Sequence, residues 1–93
     1  MYEIEFTGRA RTDLKKIARP HQRIIKAKLA ILAENPAALK NNIKRLAADE
    51  EIFRLRTGSY RIVFKKNDRR LLILIIRIGH RKEIYLSFRG GGA

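Results

Sequence analysis

The sequence predicts an α+β domain in which a two-helix hairpin packs on one face of an antiparallel sheet of four to five strands. Two changes in periodicity predict this class: apolar residues recur with helical spacing between residues 8 and 35, and with a period of two from residue 51 onward. The connections between the later strands are short, which favours antiparallel neighbours. The expected element order is β-α-α-β-β-β-β, with the helices segregated on one side of the sheet.

The N-terminal part predicts one strand followed by two helices. Residues 2–6 alternate between polar and apolar side chains, which is typical of a half-buried strand. Thr7 is a candidate cap for a helix from Gly8 to about Ala18. Pro20 suits the first turn of a second helix, and Asn35-Pro36 ends it because the residue before a proline avoids the helical region.

Four strand-like segments follow a basic connection at residues 37–49. They cover residues 51–56, 60–66, 71–78 and 81–86. Turn-forming residues separate them at 57–59, 66–69 and 79–80. The chain is expected to form a single domain over residues 1–89, with a flexible tail at 90–93.

The charge balance is the most informative feature of the composition. The 93 residues hold 22 Lys or Arg and nine Asp or Glu, so the formal net charge is +13. A surface this positive attracts polyanions, of which nucleic acid is the first candidate and an anionic membrane or acidic protein the second.

Several classes of protein are disfavoured by the same composition. There is no Cys, which excludes disulfides and thiolate chemistry. The two His are far apart and no cluster of carboxylates appears, so neither a metal nor another cofactor is expected. The longest apolar run, residues 71–76, is too short to cross a bilayer, and no secretory signal is recognisable at the start. We therefore expect a cytoplasmic protein without a membrane partner.

Alternation along the later strands predicts a sheet face rich in arginine. If the apolar positions pack on the helices, five polar side chains lie on the opposite face: Arg54, Arg56, Arg61, Arg81 and Tyr85. Like charges on neighbouring strands destabilise a sheet. The simpler interpretation is an ordinary solvated face paired with Glu51 and Glu83. The functional interpretation is a phosphate site, because the planar guanidinium fork matches phosphate oxygens.

Two stretches of the sequence resemble a known family. Residues 53–64 (FRLRTGSYRIVF) and 76–85 (IRIGHRKEIY) are similar to the RelE/ParE toxin superfamily of type II toxin–antitoxin systems. The resemblance extends over almost the whole chain and implies a small antiparallel sheet with two N-terminal helices. RelE-branch toxins are ribosome-dependent endoribonucleases that cut mRNA in the ribosomal A site, whereas ParE-branch toxins poison DNA gyrase. The ending with Arg81 and Tyr85 resembles the RelE branch.

The resemblance implies roles for four catalytic residues in a metal-independent attack of the RNA 2′-hydroxyl on its 3′-phosphate. Arg61 corresponds to an arginine that stabilises phosphate charge, and Arg81 to a general acid or charge stabiliser. Tyr85 corresponds to a tyrosine that orients or activates the 2′-hydroxyl. Arg54 stands where nuclease members often have a catalytic lysine, and an arginine does not release its proton near neutral pH. Tyr85 is therefore the preferred group for proton transfer, with His80 as the alternative.

The resemblance and the charge together predict the partners. Residues expected to contact RNA or the ribosome are Lys44, Arg45, Arg56, Lys65, Arg77 and His80. The expected partners are mRNA, ribosomal RNA and a cognate antitoxin that covers the basic domain. The alternative is a non-catalytic gyrase inhibitor of the ParE type. A plain nucleic-acid-binding module is disfavoured because exposed aromatic residues for base stacking are few.

Overall fold

The computed structural model describes residues 1–46 and 51–84 of the chain. In this part of the chain the helices are α1 (Gly8–Lys15) and α2 (Arg19–Glu34), followed by a 3₁₀ segment (Pro36–Asn42). The strands are β1 (Glu3–Phe6), β2 (Ile43–Arg45), β3 (Ile52–Thr57), β4 (Tyr60–Asn67) and β5 (Leu72–His80). Residues 81–84 form a helical turn after β5. The predicted α+β class is confirmed.

The five strands form one sheet in the order β1-β5-β4-β3-β2. The pairs β2/β3, β3/β4 and β4/β5 are antiparallel as predicted, but β1 pairs with β5 in parallel. The expectation of a wholly antiparallel sheet is therefore wrong at this edge. Alternation along a strand reveals which side chains share a face, but it carries no information on the direction of the neighbouring strand.

Both helices begin, and α2 ends, within a residue of where the local sequence predicts, whereas α1 ends at Lys15 and not at about Ala18 as predicted. The Thr7 hydroxyl accepts a hydrogen bond from the Ala10 amide at 3.0 Å, as an N-cap does, and donates to the Ile76 carbonyl on β5 at 3.0 Å. This cap therefore also ties the start of α1 to the sheet. Pro20 lies in the first turn of α2, and Asn35 leaves the helical region with φ of −152°.

The core lies between the helices and one face of the sheet. The strand register places Leu55, Ile62 and Ile78 in one row across the sheet, and all three are buried. Phe53 and Phe64 stack in the next row with ring centroids 5.5 Å apart. The predicted inward parity of β3 and β4 is thus confirmed.

Three local predictions are wrong. Residues 43–45, predicted as part of a connection, form the edge strand β2, which is too short for its periodicity to be read from the sequence. Gly79 and His80, predicted as a turn, belong to β5. The strand predicted over 81–86 is a helical turn at 81–84. No helix in the described ranges has the length and apolar character needed to span a bilayer.

Candidate active site

The sheet face away from the α-helices carries the arginines that the sequence places there. We call Arg54, Arg56 and Arg61, with Lys44 and Lys65, the arginine face. Arg56 is the direct cross-strand partner of Arg61, and Lys44 is the partner of Arg54. Direct opposition of like charges costs stability in a sheet. Folding alone therefore gives no reason for these pairs.

Backbone carbonyls of one turn bind both arginines that are predicted to stabilise the charge of the phosphate. The Arg61 Nη1 atom donates to the carbonyls of Gly58 and Tyr60, each at 2.9 Å. The Arg81 amide donates to the Ser59 carbonyl at 2.8 Å. Gly58 has φ of +60°, which matches the first central residue of a type II′ hairpin turn and favours glycine. The β3–β4 turn thus brings Arg61 and Arg81 to one end of the sheet.

Arg54 is positioned by the 3₁₀ segment that precedes β2. Its Nη1 atom donates to the Asn42 carbonyl at 2.9 Å. The Asn42 side-chain amide in turn donates to the Arg56 carbonyl at 3.4 Å, a long bond. A guanidinium has five N–H donors, so one bond to a carbonyl orients the Arg54 fork and leaves donors for a bound phosphate.

The helical turn at 81–84 is a feature that strand-like alternation concealed. It follows β5 directly and begins with Arg81. The Nδ1 atom of His80 accepts from the Lys82 amide at 3.2 Å, so the imidazole caps the turn. Ile84 ends the described part of the turn and is only 1% exposed. Histidine is not among the residues that are preferred at helix starts, so the sequence holds no clear signal for this turn.

Two predicted RNA contacts have partners within the protein. The Arg77 Nε atom lies 2.8 Å from Oδ2 of Asp13 on α1, and the same oxygen accepts from the Ile78 amide at 2.9 Å. Arg45 lies 3.6 Å from Glu51 and 5.3 Å over the Phe53 ring, on the helix-covered side of the sheet. The structure therefore separates Arg45 from the arginine face, and it joins Arg77 to α1.

His80 also lies away from the arginine face. It is the cross-strand partner of Tyr60, whose ring is 6.0 Å from the His80 ring and 5.3 Å from the ring of His21. The sequence did not predict this cluster, because it joins residues that are distant along the chain. A cleft of about 500 Å³ beside β5 is lined by residues including Tyr60, Gly79, His80 and Ile84.

Of the remaining predicted site residues, four are exposed cations and one, Tyr85, is outside the described part of the chain. Lys44, Arg56, Lys65 and Arg81 are exposed to solvent. Tyr85 lies outside the described residues, as does the tail predicted at 90–93. Within residues 1–46 and 51–84 no group of three His, Asp or Glu side chains is arranged to hold a metal ion. The arrangement offers guanidinium groups to a polyanion.

Comparison with known proteins identifies relatives over nearly the whole chain. Toxin RelG of Mycobacterium tuberculosis is 29% identical over 85 residues, covering 90% of this chain and 95% of that protein. The mRNA interferase toxin RelE of Escherichia coli is 27% identical over 86 residues, covering 90% of each. A crystal structure of the toxin–antitoxin complex RelBE2 from M. tuberculosis matches with a TM-score of 0.64 and 30% identity, covering 85% of this chain and 96% of that one.

The family described as the ParE toxin of type II toxin–antitoxin systems matches residues 4–85. This range contains all the strands and helices described above except Glu3, the first residue of β1, and it contains all ten residues predicted for the site. The resemblance first seen in residues 53–64 and 76–85 is confirmed. The chain belongs to the ParE toxin family of type II toxin–antitoxin systems.

Proposed function

We propose that this chain is an mRNA interferase, a ribosome-dependent endoribonuclease that cuts mRNA in the ribosomal A site and so stops translation. One observation carries the proposal. Arg61 and Arg81 bond to carbonyls of the same β3–β4 turn, at one end of a sheet face whose cationic pairs folding does not explain. Relatives named as RelE mRNA interferases support the same activity.

The reaction is a transesterification within the RNA. The 2′-oxygen forms a bond to the adjacent phosphorus, and the bond from phosphorus to the 5′-oxygen of the next nucleotide breaks. The products are a 2′,3′-cyclic phosphate and a 5′-hydroxyl, so one proton leaves the 2′-hydroxyl and one reaches the departing oxygen. Arg61 and Arg81 stabilise the charge that develops on the phosphoryl oxygens. Tyr85 assists proton transfer, and the ribosome aligns the reacting atoms.

The partners follow from the same chemistry. A net charge of +13 attracts ribosomal RNA and mRNA, and Arg56, Lys44 and Lys65 extend the cationic surface from the arginine pair. The related RelBE2 structure contains a toxin with its antitoxin, which supports a cognate antitoxin as the third partner. The protein acts in the cytoplasm, where translating ribosomes are found.

A translating extract tests the proposal directly. Purified protein is added, and new 5′ ends in a defined mRNA are mapped by primer extension. We expect discrete cuts that require active ribosomes, and a loss of about 10²-fold in the cleavage rate for Arg61→Ala and for Arg81→Ala. Arg69→Ala is the matched control, because Arg69 is an exposed residue of the β4–β5 turn and is remote from the β3–β4 turn. Intact mRNA in the presence of folded wild-type protein would refute the proposal.

Inhibition of DNA gyrase is the second candidate function. The matching family is described as the ParE toxin, and ParE-branch toxins are the ones that the sequence resemblance associates with gyrase. In addition, position 54 holds an arginine where nuclease members often have a lysine. A supercoiling assay with purified gyrase distinguishes the two functions. Inhibition of supercoiling without mRNA cleavage would favour this second candidate.

A further inference from the structure

Gly79 occupies a position where its backbone conformation does not explain the choice of glycine. It lies within β5, and Gly58 is the glycine with positive φ in the described chain. A glycine inside a strand costs about 0.5–1 kcal/mol relative to alanine. The reason is space. A methyl group at Gly79 would lie 3.2 Å from Ile84 Cδ1, which is tighter than an ordinary contact, and 3.5 Å from Ile84 Cβ, which is an ordinary contact.

Ile84 packs on the same face of the sheet as Arg61. Gly79 is the cross-strand partner of Arg61, so the direction in which its missing side chain would point is toward the arginine face. Ile84 meets the strand from that direction and is 1% exposed. The turn at 81–84 therefore folds back over β5 instead of extending from the end of the sheet.

The turn is held at both of its ends. At its start, the Arg81 amide bonds to the Ser59 carbonyl at 2.8 Å. At its end, Ile84 is seated on Gly79. Arg81 is the first residue of the turn, and it is exposed. The turn that carries Arg81 is thus attached to the sheet at both of its ends, through Ser59 and through Gly79.

We propose that Gly79 and Ile84 form a positioning pair that sets the placement of Arg81 for RNA cleavage, an inference that rests on the proposed function. Neither residue has a group that acts on RNA. Displacement of a catalytic group by about 1 Å costs on the order of 10²-fold in rate, so a shift of a few tenths of an ångström is expected to cost less. Glycine at position 79 removes the methyl group that would push Ile84, and Arg81 with it, away from β5.

Two complementary substitutions test the pair. Gly79→Ala adds the methyl group, and Ile84→Val removes Cδ1, the atom nearest to it. We expect Gly79→Ala to lower the single-turnover rate of mRNA cleavage about tenfold, with unchanged affinity for ribosomes. The double variant is expected to return to within about threefold of the wild-type rate, because residues in contact do not act additively. Gly8→Ala is the matched control, since a methyl group there meets nothing within 4 Å.

A second readout keeps this inference separate from the proposed function. Hydrogen exchange of the Arg81 amide, which is bonded to Ser59, is followed by NMR in the free protein. We expect faster exchange in Gly79→Ala, and the wild-type rate in the double variant and in Gly8→Ala. Absence of cleavage by the wild type would refute the nuclease, and with it the role of the pair in cleavage.

Two results would overturn the positioning pair while leaving the nuclease intact. In the first, the wild type cleaves and Gly79→Ala cleaves at the same rate with unchanged exchange at Arg81. In the second, Gly79→Ala is impaired but Ile84→Val does not rescue it. A loss of activity that follows a lowered midpoint of thermal unfolding would assign Gly79 a merely structural role and would also count against the proposal.

Discussion

The two faces of the sheet obey different requirements. On the helix-covered face, each inward residue of β3 and β4 removes apolar surface from water, and Leu55, Ile62 and Phe64 are buried as that role demands. On the arginine face, Arg56 stands opposite Arg61, and Lys44 stands opposite Arg54. These pairs oppose the stability of the sheet instead of supporting it. The helix-covered face therefore has the side chains that folding requires, whereas the arginine face has side chains suited to binding a polyanion.

Arg77 belongs to the arginine face by its position in the strand, but it is bonded to a helix. It is the cross-strand partner of Val63, which places it in the row of Arg54, yet its guanidinium is bonded to Asp13 on α1. The Asp13 carboxylate also binds the Ile78 amide, at a stretch of β5 that β1 does not pair with. The Asp13 carboxylate therefore neutralises the charge of Arg77 and accepts a hydrogen bond from a backbone amide at the edge of the sheet. Arg77 is a cation used for folding, unlike the Arg56–Arg61 pair.

The largest expected effect compares two adjacent residues on opposite faces. Phe64→Ala removes a ring that is 1% exposed and stacked on Phe53, so we expect the free energy of unfolding to fall by about 3–5 kcal/mol. Lys65→Ala, one residue later and exposed, should change it by no more than about 0.5 kcal/mol. Urea denaturation of both variants measures the contrast. Similar losses in the two variants would contradict the assignment of faces.

The next effect concerns the boundary between the faces. Asp13→Ala leaves the Ile78 amide and the Arg77 guanidinium without this acceptor, and the Asp13 side chain is only 11% exposed. We expect a loss of about 2 kcal/mol in the free energy of unfolding, again from denaturant titration. The control is Glu5→Ala, which removes an exposed carboxylate on β1. An equal loss in the control would mean that overall charge, and not these bonds, is responsible.

A smaller effect of opposite sign is expected on the arginine face. Arg56→Gln relieves the repulsion across the pair with Arg61, so the free energy of unfolding should rise by about 0.2–1 kcal/mol. The same change should weaken binding to ribosomes. The slope of the logarithm of the binding constant against the logarithm of the salt concentration should become shallower by about one. Arg69→Gln removes an equal charge from an exposed turn and should leave ribosome binding nearly unchanged. Loss of both stability and binding in Arg56→Gln would argue that Arg56 serves the fold.

The smallest effect is a pH dependence at the rim of the helix-covered face. The hydrogen bond from the Tyr2 hydroxyl to Asp68, at 2.5 Å, raises the pKa of Tyr2 above its ordinary value of 10.0. Because the neutral phenol is the favoured form in the folded state, this contribution is complete below about pH 10 and is lost as the pH rises through the raised pKa. The measurement is thermal unfolding of the wild type and Tyr2→Phe between pH 9 and pH 12. This range spans the ordinary tyrosine pKa of about 10. The two midpoints should converge at the alkaline end, and a constant difference would contradict this origin.

Much of the fold was predictable from local patterns. The helices at Gly8–Lys15 and Arg19–Glu34 follow from caps, a proline in the first turn and apolar spacing. The strands β3 and β4 lie within one residue of their predicted bounds, because half-buried strands alternate in sequence. Alternation also predicted that Arg54, Arg56 and Arg61 share a face, and the register places them so.

Position 84 shows why other parts were not predictable. Read as a strand, the segment 81–86 places Ile84 on the helix-covered side, whereas the structure has it in a helical turn on Gly79, over the arginine face. A buried isoleucine satisfies the hydrophobic effect on either face, so its apolar character does not select one. The choice depends on the Ser59 carbonyl and the Gly79 surface, which are brought to this turn by strand pairing.

Local patterns and net charge were enough to predict the class of fold, the two helices, the inward residues of β3 and β4, and a cationic surface suited to a polyanion. These features depend on interactions between residues that are near in the chain, or on net charge. The three-dimensional structure was needed to show the parallel pairing of β1 with β5, the bond between Arg77 and Asp13, and the packing of Ile84 on Gly79. The Arg77–Asp13 and Ile84–Gly79 contacts each join surfaces from different elements. The pairing of β1 with β5 joins residues 69 positions apart in the chain, such as Glu3 and Leu72. Contacts of this kind leave no periodic trace in the sequence.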